Sequence, residues 1–271
     1  MQVCHSTIRS PSTWRRSGST QNSGYTVFKF HVWGSIEEDL QLVSQVQQTF
    51  ADTPYRFMID LEAAYDLGDA LRLGRQMDKG LFVWLEAPID DALLGQYREL
   101  KDRLAVQIIP SGYSIYSREF IREGIEVGAW DAGRFDATVI GGISKALELL
   151  IIANAAGLPI ELQSWGYSLS QVANLHLMLA NERTRYFEAP MPKQAFEFGM
   201  KNGNLLNEGS VVAPDGSGLG IKVDWDSLPT ADFHACEYIN LGGVKSDAMQ
   251  TNRNVNLDFS YGGRCMQRTG K

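Results

Sequence analysis

The stretch from Phe57 to Pro88 contains two short apolar runs, Phe57-Met-Ile-Asp60 and Leu81-Phe-Val-Trp-Leu-Glu86, each of which stops at a carboxylate. The two acids lie 26 residues apart. A strand buried on both faces gains nothing from a charge in its middle, so an acid at its last position is best aimed into a pocket at the sheet edge. Asp60 and Glu86 are therefore read as pocket acids, and their pairing raises the question of a metal.

Working outward, strand-like runs recur at 26–33, 56–60, 81–86, 105–109, 134–140, 158–162 and 184–188, with starts roughly 23 to 30 residues apart. Helical patterns sit between them. Ser35-Ile-Glu-Glu38 has the form of a capping box and precedes Leu40, Val43, Val46 and Phe50 at helical spacing. Ile143 to Ala156 is apolar and stops at Gly157, while Ser168 to Asn181 carries Val172, Leu175 and Leu179 on one face. Strand followed by helix at a steady period implies parallel strands with right-handed crossovers. With Met1 to Cys4 as a first strand there are eight, and about 250 residues is usual for a (β/α)8 barrel of the TIM type. Polar residues end many different strands, which favours this α/β barrel over a doubly wound open sheet.

The chain has 271 residues, 44% of them apolar and 21% charged, as an ordinary globular protein does. A net charge of −7 argues against nucleic acid as the main partner and for a small molecule. Cys4, Cys236 and Cys265 form neither a disulfide framework nor a zinc motif, which fits a reducing cytoplasm. No stretch reads as a membrane span, and Met1 to Ser23 lacks the apolar centre of a signal peptide. Residues 1–24 are expected to give the first strand and a polar loop, 25–228 the barrel, and 229–271 an appendage or tail.

Lys29-Phe-His31, Asp60, Trp84-Leu-Glu-Ala-Pro88, Asp136 with Ile140-Gly-Gly-Ile143, Gln163-Ser-Trp-Gly166, Glu188 and Pro214-Asp-Gly-Ser-Gly-Leu-Gly220 together carry a family pattern. In order and spacing they resemble the enolase superfamily, in its mandelate racemase-like branch, over residues 25 to 228. The resemblance implies an enzyme that removes the proton α to a carboxylate and stabilises the enediolate on Mg²⁺ held by three strand-end carboxylates. It implies Asp60 and Glu86 as the first two ligands. In the third position stands Tyr113, a neutral phenol and a poor Mg²⁺ ligand, so weak metal binding is expected, with Glu62 as the candidate for the missing oxygen.

The family's Lys-x-Lys is here Lys29-x-His31, which makes His31 the candidate base and Lys29 its neighbour in the catalytic set. On the opposite wall Asp136 is present, but Gln163 replaces its histidine partner and cannot shuttle a proton. Two-base racemisation is thereby disfavoured, and dehydration of a sugar acid or related hydroxy acid stands above it. Gln163, Glu188 and Tyr113 are the candidate substrate-binding residues. Relatives of this branch carry an N-terminal cap that is not seen before the first strand, and they commonly form homo-oligomers, which is expected here too. The competing reading is a catalytically silent relative or fragment that only binds ligand.

Overall fold

The computed structural model describes residues 2–6, 24–32, 34–77, 80–190, 196, 199–201, 205–207 and 209–227. The polar loop expected within residues 7–23 and the tail expected from 229 onward lie outside them. Residues 1–223 make one compact unit. Of the second, residues 224–271, the described part is a turn in which the Ser227 N–H donates to the Asp224 carbonyl at 3.2 Å.

In chain order the elements are β1 (Gln2–Ser6), β2 (Val27–His31), α1 (Ile36–Phe50), β3 (Arg56–Asp60), α2 (Leu67–Gln76), β4 (Phe82–Glu86), α3 (Leu94–Arg103) and β5 (Gln107–Ile109). There follow α4 (Arg118–Val127), α5 (Ile143–Ala155), α6 (Ser168–Leu179), β6 (Tyr186–Pro190), β7 (Leu206–Asn207) and β8 (Ser210–Val211). Strands β1 to β5 pair in parallel in sequence order, and β6 pairs in parallel with the other side of β1. Between β5 and β6 the ring is carried by residues 131–136 and 158–163, joined by a parallel bridge at Gly133 and Ile160. The architecture is thus a TIM-type α/β barrel. Its backbone ladder breaks between Ile160 and β6, where side chains make the join: Thr184 donates to the Ile160 carbonyl at 2.7 Å and Ser164 to the Glu188 carbonyl at 3.0 Å. The short β7–β8 hairpin meets β1 at Gln2.

Two expectations need correction. The run 134–140 is extended only to Asp136; residues 137–140 turn, with the Val139 and Ile140 amides returning to the Asp136 carbonyl. Helix α1 does follow Ser35, but the Ser35 side chain makes no capping bond. Three acids in the first turn, Glu37, Glu38 and Asp39, complement the helix dipole there instead. At the end of α5, Gly157 takes φ +75°, the left-handed turn that glycine adopts without strain.

Alternation along the strands sorts the core into two parts. Phe28, Phe30, Phe57, Ile59 and Leu85 face the helices in the larger cluster. Val27, Met58, Trp84, Ile109 and Ala132 form a smaller one. Four of these, Val27, Met58, Trp84 and Ala132, share strand faces with Lys29, Asp60, Glu86 and Arg134 in turn, so an apolar plug fills the barrel below a charged layer.

Candidate active site

Register brings the site together. His31 pairs with Asp60 and Asp60 with Glu86, so the three stand side by side at the carboxyl ends of β2, β3 and β4. Just past β3 the chain turns sharply. Glu62 and Ala63 take φ of +49° and +56°, which costs a non-glycine residue backbone strain. Asp60 Oδ1 accepts the Glu62 N–H at 3.0 Å, and the Ala63 N–H reaches the Ala87 carbonyl at 2.8 Å. This turn sets the Glu62 carboxylate 2.7 Å from His31 Nδ1. Asp60 Oδ2 is 3.7 Å from the same nitrogen, and His31 Nε2 is buried with no partner among the described residues. Burial pulls the His31 pKa down, yet Glu62, Asp60 and Glu188 outweigh burial and Lys29 and hold it above its ordinary value.

Beneath lies a buried ionic ring. Lys29 Nζ contacts Glu188, Glu86 Oε2 at 3.1 Å and Asp60 Oδ2 at 3.4 Å. Arg134 spans the same acids, with Nε 2.7 Å from Glu86 Oε1 and Nη2 2.6 Å from Glu188 Oε2. Trp84 Nε1 donates to Glu86 Oε2 at 3.2 Å. Two cations face three carboxylates, and the acids divide accordingly. Burial together with repulsion from Asp60 and Glu188 pushes Glu86 up to about 7 despite Arg134 and Lys29. Glu188 is also buried, but the pull of Lys29 and Arg134 wins and lowers it to about 2. Burial works against the charge of Lys29, and Glu188 and Glu86 overcome it, holding its pKa above the ordinary range.

The opposite wall is engaged differently. Asp136 Oδ1 accepts from Asn174 Nδ2, the Thr138 hydroxyl and the Thr138 amide, all at 2.8 Å. Asp136 therefore ties α6 to its own turn. Gln163 Nε2 donates to the Tyr113 hydroxyl at 2.7 Å. That contact depends on Gly112, where a Cβ would come within 1.5 Å of Gln163 Oε1. Asp91 anchors the loop bearing Tyr113: its carboxylate accepts from the Ser111 hydroxyl at 2.5 Å and from those of Ser114 and Tyr97.

The structure thus brings Lys29, His31, Asp60, Glu62, Glu86 and Glu188 to one end of the barrel, and pairs Tyr113 with Gln163. Arg134 was not among the residues singled out in the sequence, because the strand reading of 134–140 treated it as one polar position in an apolar run. Its signal was a charge two residues before Asp136, on the same strand face. Asn174 and Asp91 gave no sequence signal.

The sequence matches the family described as Enolase C-terminal domain-like over residues 15–227. The chain belongs to that family. It is 27% identical over 217 residues to a D-galactarolactone cycloisomerase of Agrobacterium fabrum, covering 76% of this chain and 56% of that protein. An arabinonate dehydratase of Saccharolobus solfataricus is 27% identical over 192 residues, covering 70% of this chain and 50% of that one. A solved structure from Pseudovibrio sp., assigned to the mandelate racemase/muconate lactonizing enzyme class, superposes with a TM-score of 0.79 at 30% identity, over 84% of this chain and 62% of its own. The chain spans about half the length of these curated relatives.

The donors present do not make the three-carboxylate site that the resemblance implied. Both Glu86 oxygens face protein cations, Glu62 is turned to His31, and Tyr113 brings a phenol bonded to Gln163. Among the described residues no group of three or more His, Cys, Asp or Glu side chains is arranged to hold a metal ion.

Proposed function

We propose that the chain carries the barrel of a dehydratase- or isomerase-type lyase that removes the proton α to the carboxylate of a sugar acid or related hydroxy acid. The observation that carries this reading is the His31–Glu62 pair, with Nε2 buried and unpartnered beside Asp60. In the neutral imidazole, Nδ1–H donates to Glu62 and leaves the Nε2 lone pair to take the proton. The C–H bond breaks, its electron pair passes into the enediolate, and Glu62 with Asp60 stabilises the imidazolium. Protonated His31 can return that proton to a β-hydroxyl leaving as water on the same face. Lys29 and Glu188 build the layer beneath, and Gln163 and Tyr113 offer neutral hydrogen-bonding groups opposite.

The dehydratase and cycloisomerase names among the relatives support this class of reaction. N-succinylamino acid racemases also match, at 24% identity. Gln163 stands where a histidine base would and Asp136 Oδ1 is held by Asn174 and Thr138, which weighs against racemisation. An enolase from Bradyrhizobium, 18% identical with a TM-score of 0.70, was solved complexed with magnesium and mandelic acid. In this chain the oxygens that would hold such a metal are turned to Lys29, Arg134 and His31, and the third is a phenol. On this reading the protein acts on a small carboxylate as a cytoplasmic homo-oligomer. No helix among the described residues is long and apolar enough to cross a membrane.

A second reading, ligand binding without turnover, is favoured by the ionic ring. Lys29 and Arg134 are both committed to acids, which leaves no strong cation facing a developing oxyanion. Exchange of the α-proton with D₂O across an acid-sugar library separates the two. Exchange lost in His31→Ala supports the lyase, and no exchange with any acid supports the binder.

A further inference from the structure

We infer that Arg134, acting with Lys29, takes the place of a divalent cation in this barrel, so that the strand-end acids Asp60, Glu86 and Glu188 are compensated by the protein's own cations and the site holds together without a metal. This goes beyond the proposed reaction and does not depend on it.

A divalent ion at the mouth would need Asp60 and Glu86 together. Glu86 Oε1 lies 2.7 Å from Arg134 Nε, and Oε2 is taken by Lys29 at 3.1 Å and Trp84 Nε1 at 3.2 Å. Asp60 Oδ1 accepts the Glu62 amide, and Oδ2 faces Lys29 at 3.4 Å. Glu188 would release its own contacts only by uncovering Arg134 and Lys29. Lys29, Glu86, Arg134 and Glu188 all have side chains no more than 5% exposed. Bringing Mg²⁺ to Glu86 would therefore set a double charge against two buried cations in a poorly screened interior.

The planar guanidinium suits this place better than an ammonium would. Its Nη2 donates to Glu188 while its Nε lies 2.7 Å from Glu86 Oε1, so one rigid cation holds both carboxylates, as a metal bridging two carboxylates would. The third oxygen that a metal requires is a phenol here. With Lys29 and Arg134 against three acids, the carboxylates outnumber the cations by one, and Asp60 Oδ2 lies between Lys29 at 3.4 Å and His31 Nδ1 at 3.7 Å.

The test uses Mn²⁺ as a paramagnetic substitute for Mg²⁺, titrated into the full chain and followed by electron paramagnetic resonance, with melting temperature recorded in Mg²⁺ and in EDTA. The wild-type chain should leave Mn²⁺ free and melt within about 1 °C under both conditions, since a ligand that does not bind cannot stabilise. Arg134→Gln frees Glu86 Oε1 and Glu188 Oε2 and should gain a Mn²⁺ site, with a melting temperature raised several degrees by Mg²⁺. Arg134→Lys keeps the charge and should bind none. Stoichiometric Mn²⁺ on the wild-type chain, melting that falls in EDTA, or equal Mn²⁺ binding by Arg134→Lys and Arg134→Gln would each overturn the inference. Should Arg134→Gln not fold, the wild-type and Arg134→Lys titrations decide. None of these readings needs substrate, so they stand apart from the outcome of the exchange assay.

Discussion

The barrel has two arcs built in different ways. From β1 to β5 the strands are joined by a parallel backbone ladder, with a register shift at Phe57/Met58, and the inward ion pairs of Lys29 with Asp60 and Glu86 add to it. From residue 131 to 163 a sparser set of backbone bonds does the joining, including Gly133 N–H to Pro159, Glu161 N–H to Gly133 and Gln163 N–H to Phe135, and only the join to β6 passes to side chains: Ser164 donates to the Glu188 carbonyl, Thr184 to the Ile160 carbonyl, and Glu161 accepts from Arg185 Nε at 2.8 Å. The difference shows in the pocket. On the laddered arc His31 keeps an unpartnered ring nitrogen, whereas on the other arc Asp136, at an equally suggestive position, has its Oδ1 held by Asn174 and Thr138.

Arg134 crosses from one arc to the other, so removing it should have the largest effect. Arg134→Ala leaves three buried acids facing one cation and is expected to cost about 3–5 kcal/mol in urea unfolding. A loss under about 1 kcal/mol would mean that the ring does not hold the arcs together.

Acid should act on the same ring. Glu188 titrates near 2 in the folded protein, below the ordinary value of about 4.3 for an unfolded chain. Its contribution is therefore present above pH ~4.3 and lost as pH falls toward 2. Glu188→Gln should lower stability at neutral pH while flattening that acid slope, which thermal melts between these limits would show; an unchanged slope would assign the acid sensitivity elsewhere.

Smaller effects sharpen the contrast. Ser164 donates to the Glu188 carbonyl and accepts the Glu188 amide at 2.6 Å, so Ser164→Ala should cost about 1–3 kcal/mol and speed amide exchange along β6 but not along β3. Arg72, paired with Glu37 on the exposed surface of the laddered arc, should leave the urea midpoint unchanged within error when replaced by alanine, because water and salt screen such a pair. If Ser164→Ala were as silent as Arg72→Ala, side chains would not be what joins β6 to the second arc.

Much of this was legible in the sequence, and the arcs explain what was not. Apolar runs stopping at Asp60 and Glu86, and the spacing of the strand-like segments, pointed to the barrel because ladder strands must be apolar on both faces. The strand read over 134–140 overran because Thr138, Val139 and Ile140 have the composition of a strand but form the turn held by Asp136. Ser35 and Glu38 had the spacing of a capping box, but spacing does not fix where a side chain turns. Glu62 was found as an acid near Asp60. Its partner, His31, lies 31 residues away and is set by strand register, which local pattern does not carry.

The central claim is that His31, oriented by Glu62, is a working base. The most direct measurement is ¹H NMR of α-proton loss in D₂O across an acid-sugar library, with and without Mg²⁺. The wild-type chain should exchange at least one acid, at a rate reduced at least ~100-fold in His31→Ala and by a smaller factor in Glu62→Gln. No exchange in the wild-type chain, or exchange undiminished in His31→Ala, would contradict it.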